Sequence, residues 1–147
     1  MPTLRRTGAM LITAVLAGGV GTATLAAPAE AAAAGTTKVT AAKKASTEKR
    51  NKKIARKLVK RRGWSKAQFT CLNRLWERES NWNHRARNPY SGAYGIPQAL
   101  PAGKMASAGE DWQTNPKTQI KWGLSYIKER YGTPCAAWGH SLRRGWY

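Results

Sequence analysis

Periodically spaced apolar residues occur only between residues 51 and 147, and this restriction limits what the chain can fold into. Large apolar side chains recur there at every third or fourth position, which is the spacing of an α-helix rather than of a strand. The clearest sets are Leu72, Leu75 and Trp76, and Ile120, Leu124 and Ile127. We therefore predict a mainly α fold, with a single domain over residues 51–147.

Capping residues indicate where two of the helices begin. Ser65 stands before the first apolar set and Gln68 follows three residues later, which is the pattern of a capping box. This pattern predicts a helix from Lys66 to about Ser80. A short amphipathic helix is expected just before it, ending at Gly63.

A second start signal precedes the other apolar set. Asn115 followed by Pro116 is typical of a cap and a first helical residue, so we predict a helix over Lys117–Tyr131, ended by Gly132. The segment Asn88–Gly103 is rich in proline and glycine, which indicates an ordered loop or a short hairpin.

The first 31 residues have the order of a secretory signal peptide. Arg5 and Arg6 precede the uncharged apolar run 11–25, and small residues then provide Ala-x-Ala sites at 27–31. Thr7 and Gly8 favour the general export route over a twin-arginine signal. We expect cleavage near Ala31 and a secreted, cell-wall-associated protein; the alternative is an uncleaved membrane anchor.

Residues 32–50 consist mainly of alanine, threonine and lysine, with Val39 as the only large apolar residue. Such a segment cannot bury enough surface to offset the entropy of ordering it, so a disordered, solvated basic linker is expected. The whole chain is strongly basic, with 26 Lys and Arg against 7 Asp and Glu.

The only two cysteines are Cys71 and Cys135. In an exported protein a pair of cysteines favours a disulfide bond. A zinc site is disfavoured because the two residues lack CxxC spacing, and no general base adjoins either of them to make a nucleophile. We predict a structural bridge and no metal site.

Glu79 lies on the apolar stripe of the first predicted helix, one turn after Leu75 and Trp76. A buried carboxylate without a partner is unfavourable, and the group escapes by staying protonated, which raises its pKa. A protonated carboxyl in an aromatic pocket can act as the general acid of glycoside cleavage. The alternative is a buried ion pair with an arginine or lysine. Glu77 lies on the other side of the helix and cannot converge with Glu79 on one substrate.

The residues after Glu79 resemble a known signature. The motifs are Glu79-Ser80-x-Trp82, Asn88 and Ser91-Gly92-Ala93-Tyr94-Gly95-Ile96-Pro97-Gln98. They are similar to the E-S and S-x-G-A-x-G-L-M-Q motifs of soluble lytic transglycosylases, lysozyme-like enzymes that cut peptidoglycan. The wider pattern through Arg130-Tyr131-Gly132 is similar to secreted actinobacterial members. The resemblance implies a lysozyme-like, goose-type α domain.

The resemblance also implies a mechanism and a substrate. Glu79 would be the single acid/base that protonates the glycosidic oxygen between N-acetylmuramic acid and N-acetylglucosamine, and the muramic 6-hydroxyl would attack to leave a 1,6-anhydro end. No cofactor is implied. Glu110 and Asp111 stay open as a second acid, with a solvated turn or helix start as the alternative. His84 and His140 are expected to be surface or supporting groups.

Substrate-binding residues are carried over from the same motifs. They would be Ser80, Ser91, Tyr94, Gly95, Gln98 and Tyr126, the last either facing the acid from the helix predicted over Lys117–Tyr131 or packing in the core. Ile96-Pro97 replaces Leu-Met, and Ala136-Ala137-Trp138-Gly139-His140 stands where a Tyr-Asn-Ala-Gly segment is usual. Hydrolysis by a muramidase-type reaction therefore stays an alternative.

The positive charge suggests other classes of protein. A nucleic-acid-binding or membrane-active protein would carry such a charge, but no base-reading module is recognisable and an export signal removes the chain from the cytoplasm. Attraction to an anionic cell wall explains the charge better. We expect glycan strands as the partner, a monomer and no membrane span after cleavage, with a non-catalytic wall-binding module as the remaining alternative.

Overall fold

The protein is mainly helical in a computed structural model, which describes the backbone of residues 30–147 and the side chains from residue 36 onward. The predicted signal peptide lies almost wholly outside the described residues. Two short 3-10 helices connect the second and third α-helices. The elements are α1 (Glu30–Arg61), α2 (Lys66–Ser80), the 3-10 helices Ala102–Ala108 and Glu110–Gln113, α3 (Pro116–Tyr131) and α4 (Pro134–Arg144). The predicted fold class is confirmed.

The segment expected to be a disordered linker is instead part of α1, which runs unbroken through residues 32–50. Its alanine and lysine residues favour helix, and no glycine or proline interrupts residues 36–62. The side chains of residues 36–46 are exposed, so this part of the helix is solvated as expected. None of the helices in the described part of the chain is long and apolar enough to cross a membrane.

The bounds predicted for α2 are confirmed, but the capping box is not. The Ser65 side chain makes no capping hydrogen bond. The Gln68 side chain turns away from the helix start, and its Oε1 accepts a hydrogen bond from the Cys135 backbone N–H at 2.9 Å. Gln68 therefore joins the start of α2 to the start of α4.

The difference between two helix caps gives a stability prediction. Thr133 accepts a hydrogen bond from the Ala136 N–H at the start of α4, whereas Ser65 makes none at the start of α2. We expect Thr133→Ala to lower the free energy of unfolding by about 1 kcal/mol and Ser65→Ala by roughly half of that or less. Urea unfolding of the two variants measures the difference, and equal losses would contradict it.

The third predicted helix is confirmed as α3, and its N-cap is the expected one. Asn115 Oδ1 accepts a hydrogen bond from the Lys117 N–H at 2.9 Å, and Pro116 occupies the first turn. α4 was not predicted, although its segment is amphipathic, because the residues on its buried face, Pro134, Ala137 and Ser141, are small and not large apolar residues. Thr133 and Pro134 nevertheless have the same cap-then-proline pattern that marks α3.

The predicted disulfide bond joins α2 to the first turn of α4. Cys71 and Cys135 are bonded, with their Cα atoms 4.9 Å apart. α4 therefore packs along α2. The segment that follows α4 also contacts α2, because the Tyr147 hydroxyl is hydrogen-bonded to Trp76.

The apolar core is enclosed by α1, α2, α3 and the loop between α2 and the first 3-10 helix. Two polar links fasten α1 to this core. Asn51 is fully buried and donates from Nδ2 to the Trp82 carbonyl at 2.9 Å, and Arg62 donates to Ser125 Oγ at 2.9 Å. The largest core side chains are Leu72, Leu75, Trp76, Trp82, Ile96, Ile120, Leu124 and Ile127.

The proline- and glycine-rich segment is an ordered loop with two isolated antiparallel bridges in place of a regular hairpin. Tyr94 is the central residue, paired with Arg87 on one side and with Ala99 on the other. The loop thus has a defined backbone conformation next to the end of α2.

Candidate active site

Glu79 lies in the last turn of α2 and is half-buried. Burial raises the pKa of its carboxyl above the ordinary value, and the charge of Arg78 opposes this only in part. The two ion pairs within the described part of the chain are both made by Lys52, so the alternative of an ion-paired Glu79 is not supported. The site therefore favours the protonated form of this carboxyl.

The chain reverses direction immediately after Glu79 and Ser80. Asn81 and Trp82 both have positive φ, at 49° and 58°, in the left-handed region that is costly for a residue with a bulky side chain. Trp82 is held there by complete burial and by edge-to-face contact with Trp76, with ring centroids 5.1 Å apart. Because the chain turns away at Asn81, no further helical turn of α2 follows Glu79.

Glu77 has the opposite environment. Its Oε1 accepts a hydrogen bond from Lys52 Nζ at 2.6 Å, and this contact lowers the pKa of the Glu77 carboxyl. Glu77 is therefore ionised at neutral pH and is not suited to act as a general acid.

The two glutamates should affect stability with opposite pH dependence. A carboxyl whose pKa is raised by folding stabilises the protein at low pH and loses that contribution as the pH rises through its folded pKa. We therefore expect Glu79→Gln to stabilise the protein at pH 7 relative to the wild type, with the gain disappearing as the pH falls below about 4, the ordinary range of a carboxyl.

Glu77→Gln is the matched control. Because the folded pKa of Glu77 is lowered, its contribution is present at neutral pH and lost in acid, so this variant should be destabilised at pH 7 and equal to the wild type in acid. Urea unfolding from pH 3 to pH 8 measures both variants. If the two substitutions changed the free energy of unfolding with the same pH dependence, burial would not determine the pKa of Glu79.

Tyr147 approaches Glu79 from the segment after α4, and it was not predicted from the sequence. Its hydroxyl accepts a hydrogen bond from Trp76 Nε1 at 2.8 Å and donates one to the Pro97 carbonyl at 2.9 Å. Burial, followed by the nearby Glu79 charge, raises the pKa of Tyr147 well above its ordinary value. The neutral phenol is held by both bonds and joins α2 to the glycine-rich loop.

Ser80 fixes the glycine-rich loop against the end of α2. Its Oγ donates to the Ile96 carbonyl at 2.9 Å, one residue before the Pro97 carbonyl bonded by Tyr147. The hydroxyl is thus engaged within the protein, and the contact of Ser80 with substrate stays a prediction. The hydrogen bond that Ser80 donates therefore holds the loop next to the end of α2, where Glu79 lies.

Gln119 is the residue that organises the loop, and sequence reasoning did not single it out. The side chain is fully buried on α3. Its Oε1 accepts from the Ile96 N–H at 2.9 Å, and its Nε2 donates to the carbonyls of His84 and Trp112 at 2.9 and 2.8 Å. One amide thus connects three separate parts of the chain around the end of α2.

Gly95 is required by this close approach of Gln119. A Cβ atom built on Gly95 would lie 2.5 Å from Gln119 Oε1, and the backbone φ of +76° is also one that favours glycine. The close neighbour of Gly95 is thus a side chain of the protein itself, and the predicted approach of its backbone to a ligand stays a prediction.

Three other predicted substrate-binding residues lie in or beside the same loop. Tyr94 is half-buried, donates from its hydroxyl to the Gln113 carbonyl at 2.9 Å and packs edge-to-face on Trp112. Gln98 donates to the Gly95 carbonyl at 2.9 Å, while Ser91 is exposed in a turn. Their contacts with sugar stay predictions.

Tyr126 faces a cavity of about 440 Å³ on the surface of α3. Its ring stacks on Trp122 with centroids 5.3 Å apart and lies 6.0 Å from the ring of Tyr147, which connects it to the surroundings of Glu79. Lys104 and Glu129 also line this cavity. Flat aromatic faces beside polar groups suit the binding of a sugar ring.

Of the two other candidate acids, Glu110 is exposed in the second 3-10 helix, whereas Asp111 is bound by neighbouring side chains. Asp111 accepts hydrogen bonds from Asn115 Nδ2 at 2.6 Å and Thr118 Oγ1 at 2.7 Å, which lowers the pKa of its carboxyl and fixes the turn before α3. His84 is buried rather than at the surface, and His140 packs between the rings of Tyr131 and Trp146.

Comparison with known proteins identifies a family over most of the helical domain. A family model described as the transglycosylase SLT domain matches residues 61–142, which is more than half of the chain. Searches of curated proteins and of solved structures find no match. The matched residues include Glu79, the glycine-rich loop, Gln119 and Tyr126. The chain therefore belongs to the transglycosylase SLT domain family, whose members act on peptidoglycan.

Proposed function

We propose that the protein is a secreted lytic transglycosylase that cuts the β-1,4 bond between N-acetylmuramic acid and N-acetylglucosamine, with Glu79 as its single acid/base. The observation that carries this proposal is the half-buried Glu79 carboxyl, whose pKa is raised by burial and which has no ion-pair partner in the described part of the chain. A raised pKa increases the fraction of this carboxyl that is protonated and can donate a proton.

The proposed reaction needs no water. Glu79 gives its proton to the glycosidic oxygen, and the bond from that oxygen to the muramic C1 breaks. The muramic 6-hydroxyl oxygen then bonds to C1 of the same sugar, and its proton passes to the Glu79 carboxylate. The products are a strand with a free N-acetylglucosamine hydroxyl and a strand with a 1,6-anhydro end, and Glu79 is again protonated.

A single acid is consistent with the state of two other carboxylates of the domain. Glycosidases that use water or a covalent intermediate need a second carboxylate on the other side of the scissile bond. Glu77 is bound to Lys52, and Asp111 is bound to Asn115 and Thr118. Neither is offered to a substrate, which favours attack from within the sugar.

One observation favours the muramidase alternative. Glu129 is exposed and lines the same cavity as Tyr126, so a carboxylate is present on the α3 side of the site. If the glycan strand occupies this cavity, Glu129 could activate a water molecule on the face of the sugar opposite Glu79. Hydrolysis would then require both glutamates.

Mass spectrometry of the products separates the two reactions. Purified walls digested with the protein should release muropeptides with 1,6-anhydromuramyl ends, each one water lighter than the reducing form. Glu129→Gln should leave both the rate and the products unchanged. If the wild type releases reducing ends and Glu129→Gln does not, the protein is a muramidase. If the wild type binds walls and leaves them intact, it is a non-catalytic wall-binding protein.

We further propose that the secreted protein acts as a monomer held near the wall by its charge. Residues 51–147 contain 19 Lys and Arg against five Asp and Glu. Attraction between this domain and an anionic wall acts over a range set by the Debye length, about 10 Å at 0.1 M salt, and weakens as salt is added. Sedimentation of the protein with purified walls at increasing salt concentration measures this contribution.

A further inference from the structure

A second cavity, of about 490 Å³, lies between α1 and the turn that follows Ser80. The α1 side of this cavity lies before residues 61–142, so it is outside the part of the chain that matches the family. The turn side begins at Asn81, two residues after Glu79, which places its Cα within about 7 Å of that of the acid. The cavity is thus close to the proposed active site without being part of it.

The walls of this cavity are strongly cationic. Lys43, Lys44 and Arg50 contribute from α1, and Arg85 contributes from the turn. The one carboxylate in the lining, Glu48, is already paired with Lys52 at 2.6 Å. The net field in the cavity therefore favours an anion.

The cavity also backs onto buried polar atoms that lack partners. Trp82 and His84 line it and are 0% and 9% exposed, and neither Trp82 Nε1 nor His84 Nδ1 has a hydrogen-bond partner among the described residues. Asn51, whose Nδ2 donates to the Trp82 carbonyl, has a buried and unpartnered Oδ1 as well. Such atoms are unfavourable to leave unsatisfied, and they include both a donor and an acceptor.

A peptide with free carboxylates matches this set of groups. Its carboxylates suit the four cations, and its amides can both donate to and accept from the side chains of Asn81 and Asn83. A phosphodiester chain offers no N–H donor, and a lipid surface would need an apolar face, whereas Trp82 is the only large apolar side chain in the lining.

We propose that this cavity binds the carboxylate-bearing peptide stem attached to the glycan strand, so that the protein prefers peptide-substituted strands. This inference rests on the proposed function, because it makes the α1 segment a specificity element for the same reaction. The stem is part of the substrate, and the cavity adjoins the turn that leads from Glu79.

The test compares two kinds of strand and two matched double variants. The strands are purified glycan with its stem peptides and the same glycan after an amidase has removed them. Lys44→Gln with Arg85→Gln removes two cations from the cavity. Lys53→Gln with Arg144→Gln removes two exposed cations elsewhere and makes the same change in net charge.

The wild type should have a higher kcat/KM on peptide-bearing strands. On these strands the cavity variant should lose about three- to tenfold more kcat/KM than the control variant, as expected for two exposed ion pairs, and on stripped strands it should lose no more than the control. The control variant should lose the same fraction of its kcat/KM on peptide-bearing and on stripped strands. Equal rates of the wild type on both strands, or equal losses of the cavity variant on both, would overturn the proposal.

Binding can be measured without cleavage, which separates this inference from the proposed function. In the full chain carrying Glu79→Gln, a soluble muramyl tetrapeptide should shift the Trp82 indole N–H resonance, and muramic acid without peptide should not. The cavity substitutions should weaken this binding. If the peptide does not shift the Trp82 resonance, or if only a nucleic acid shifts it, the stem-binding site is refuted even if the protein cleaves peptidoglycan.

Discussion

Glu79→Gln is expected to lower the rate of peptidoglycan cleavage by about a thousandfold while leaving the protein folded. Glutamine keeps the shape of a protonated glutamate but has no acidic proton to give to the glycosidic oxygen, and general acid/base catalysis is typically worth about 10²- to 10⁴-fold. The variant should still bind purified walls, because the basic surface is unchanged. The release of soluble muropeptides over time measures the rate.

Glu77→Gln is the control for this substitution. It removes a carboxylate two residues away on the same helix and breaks the ion pair with Lys52, which is partly exposed and contributes at most about 1 kcal/mol. Cleavage should continue at nearly the wild-type rate. Full activity in Glu79→Gln, or a comparable loss in Glu77→Gln, would remove the basis for assigning the acid to Glu79.

Removal of the disulfide bond should produce the largest loss of stability. Replacing Cys71 and Cys135 with alanine frees a loop of sequence separation 64, and the chain-entropy model gives about 4 kcal/mol for a loop of this length. The bond attaches α4 to α2, and Tyr147 follows α4, so loosening α4 should also weaken the contacts of Tyr147 with Trp76 and Pro97.

Unfolding in guanidinium, monitored by tryptophan fluorescence, measures this loss as a lower guanidinium concentration at the unfolding midpoint. The wild type unfolded in the presence of a reductant provides the control, since it should show the same shift with no change in sequence. A double variant that unfolds at the oxidised wild-type midpoint would mean that the packing of α4 on α2 is sufficient without the bond. Thiol titration of the denatured, unreduced wild type should find no free thiols.

The features that follow from local pattern were predictable. The bounds of α2 and α3 follow from apolar spacing and capping residues, and the half-buried position of Glu79 follows from its place one turn after Leu75. The capping box failed because the interaction of Gln68 with Cys135 competes with it, and that contact depends on tertiary structure.

The residues that were missed depend on contacts distant in sequence. Tyr147 acquires its environment only when α4 packs on α2, and the buried face of α4 consists of small residues that give no pattern of large apolar side chains. Gln119 could have been found by the reasoning applied to Glu79. It lies four residues before Gly123 and eight before Ile127, on a face that must be buried, so a polar side chain there requires partners.

The contact between Gln119 and Gly95 couples two positions that are distant in the chain. Any side chain at position 95 would displace the amide that connects Ile96, His84 and Trp112, so the free energies of substitution at the two positions should not be additive. A shorter residue at 119 would make room for alanine at 95 but would give up all three hydrogen bonds. Because the backbone φ of +76° at position 95 favours glycine in either case, even a paired replacement would carry a conformational cost, and we expect selection against substitution at both positions.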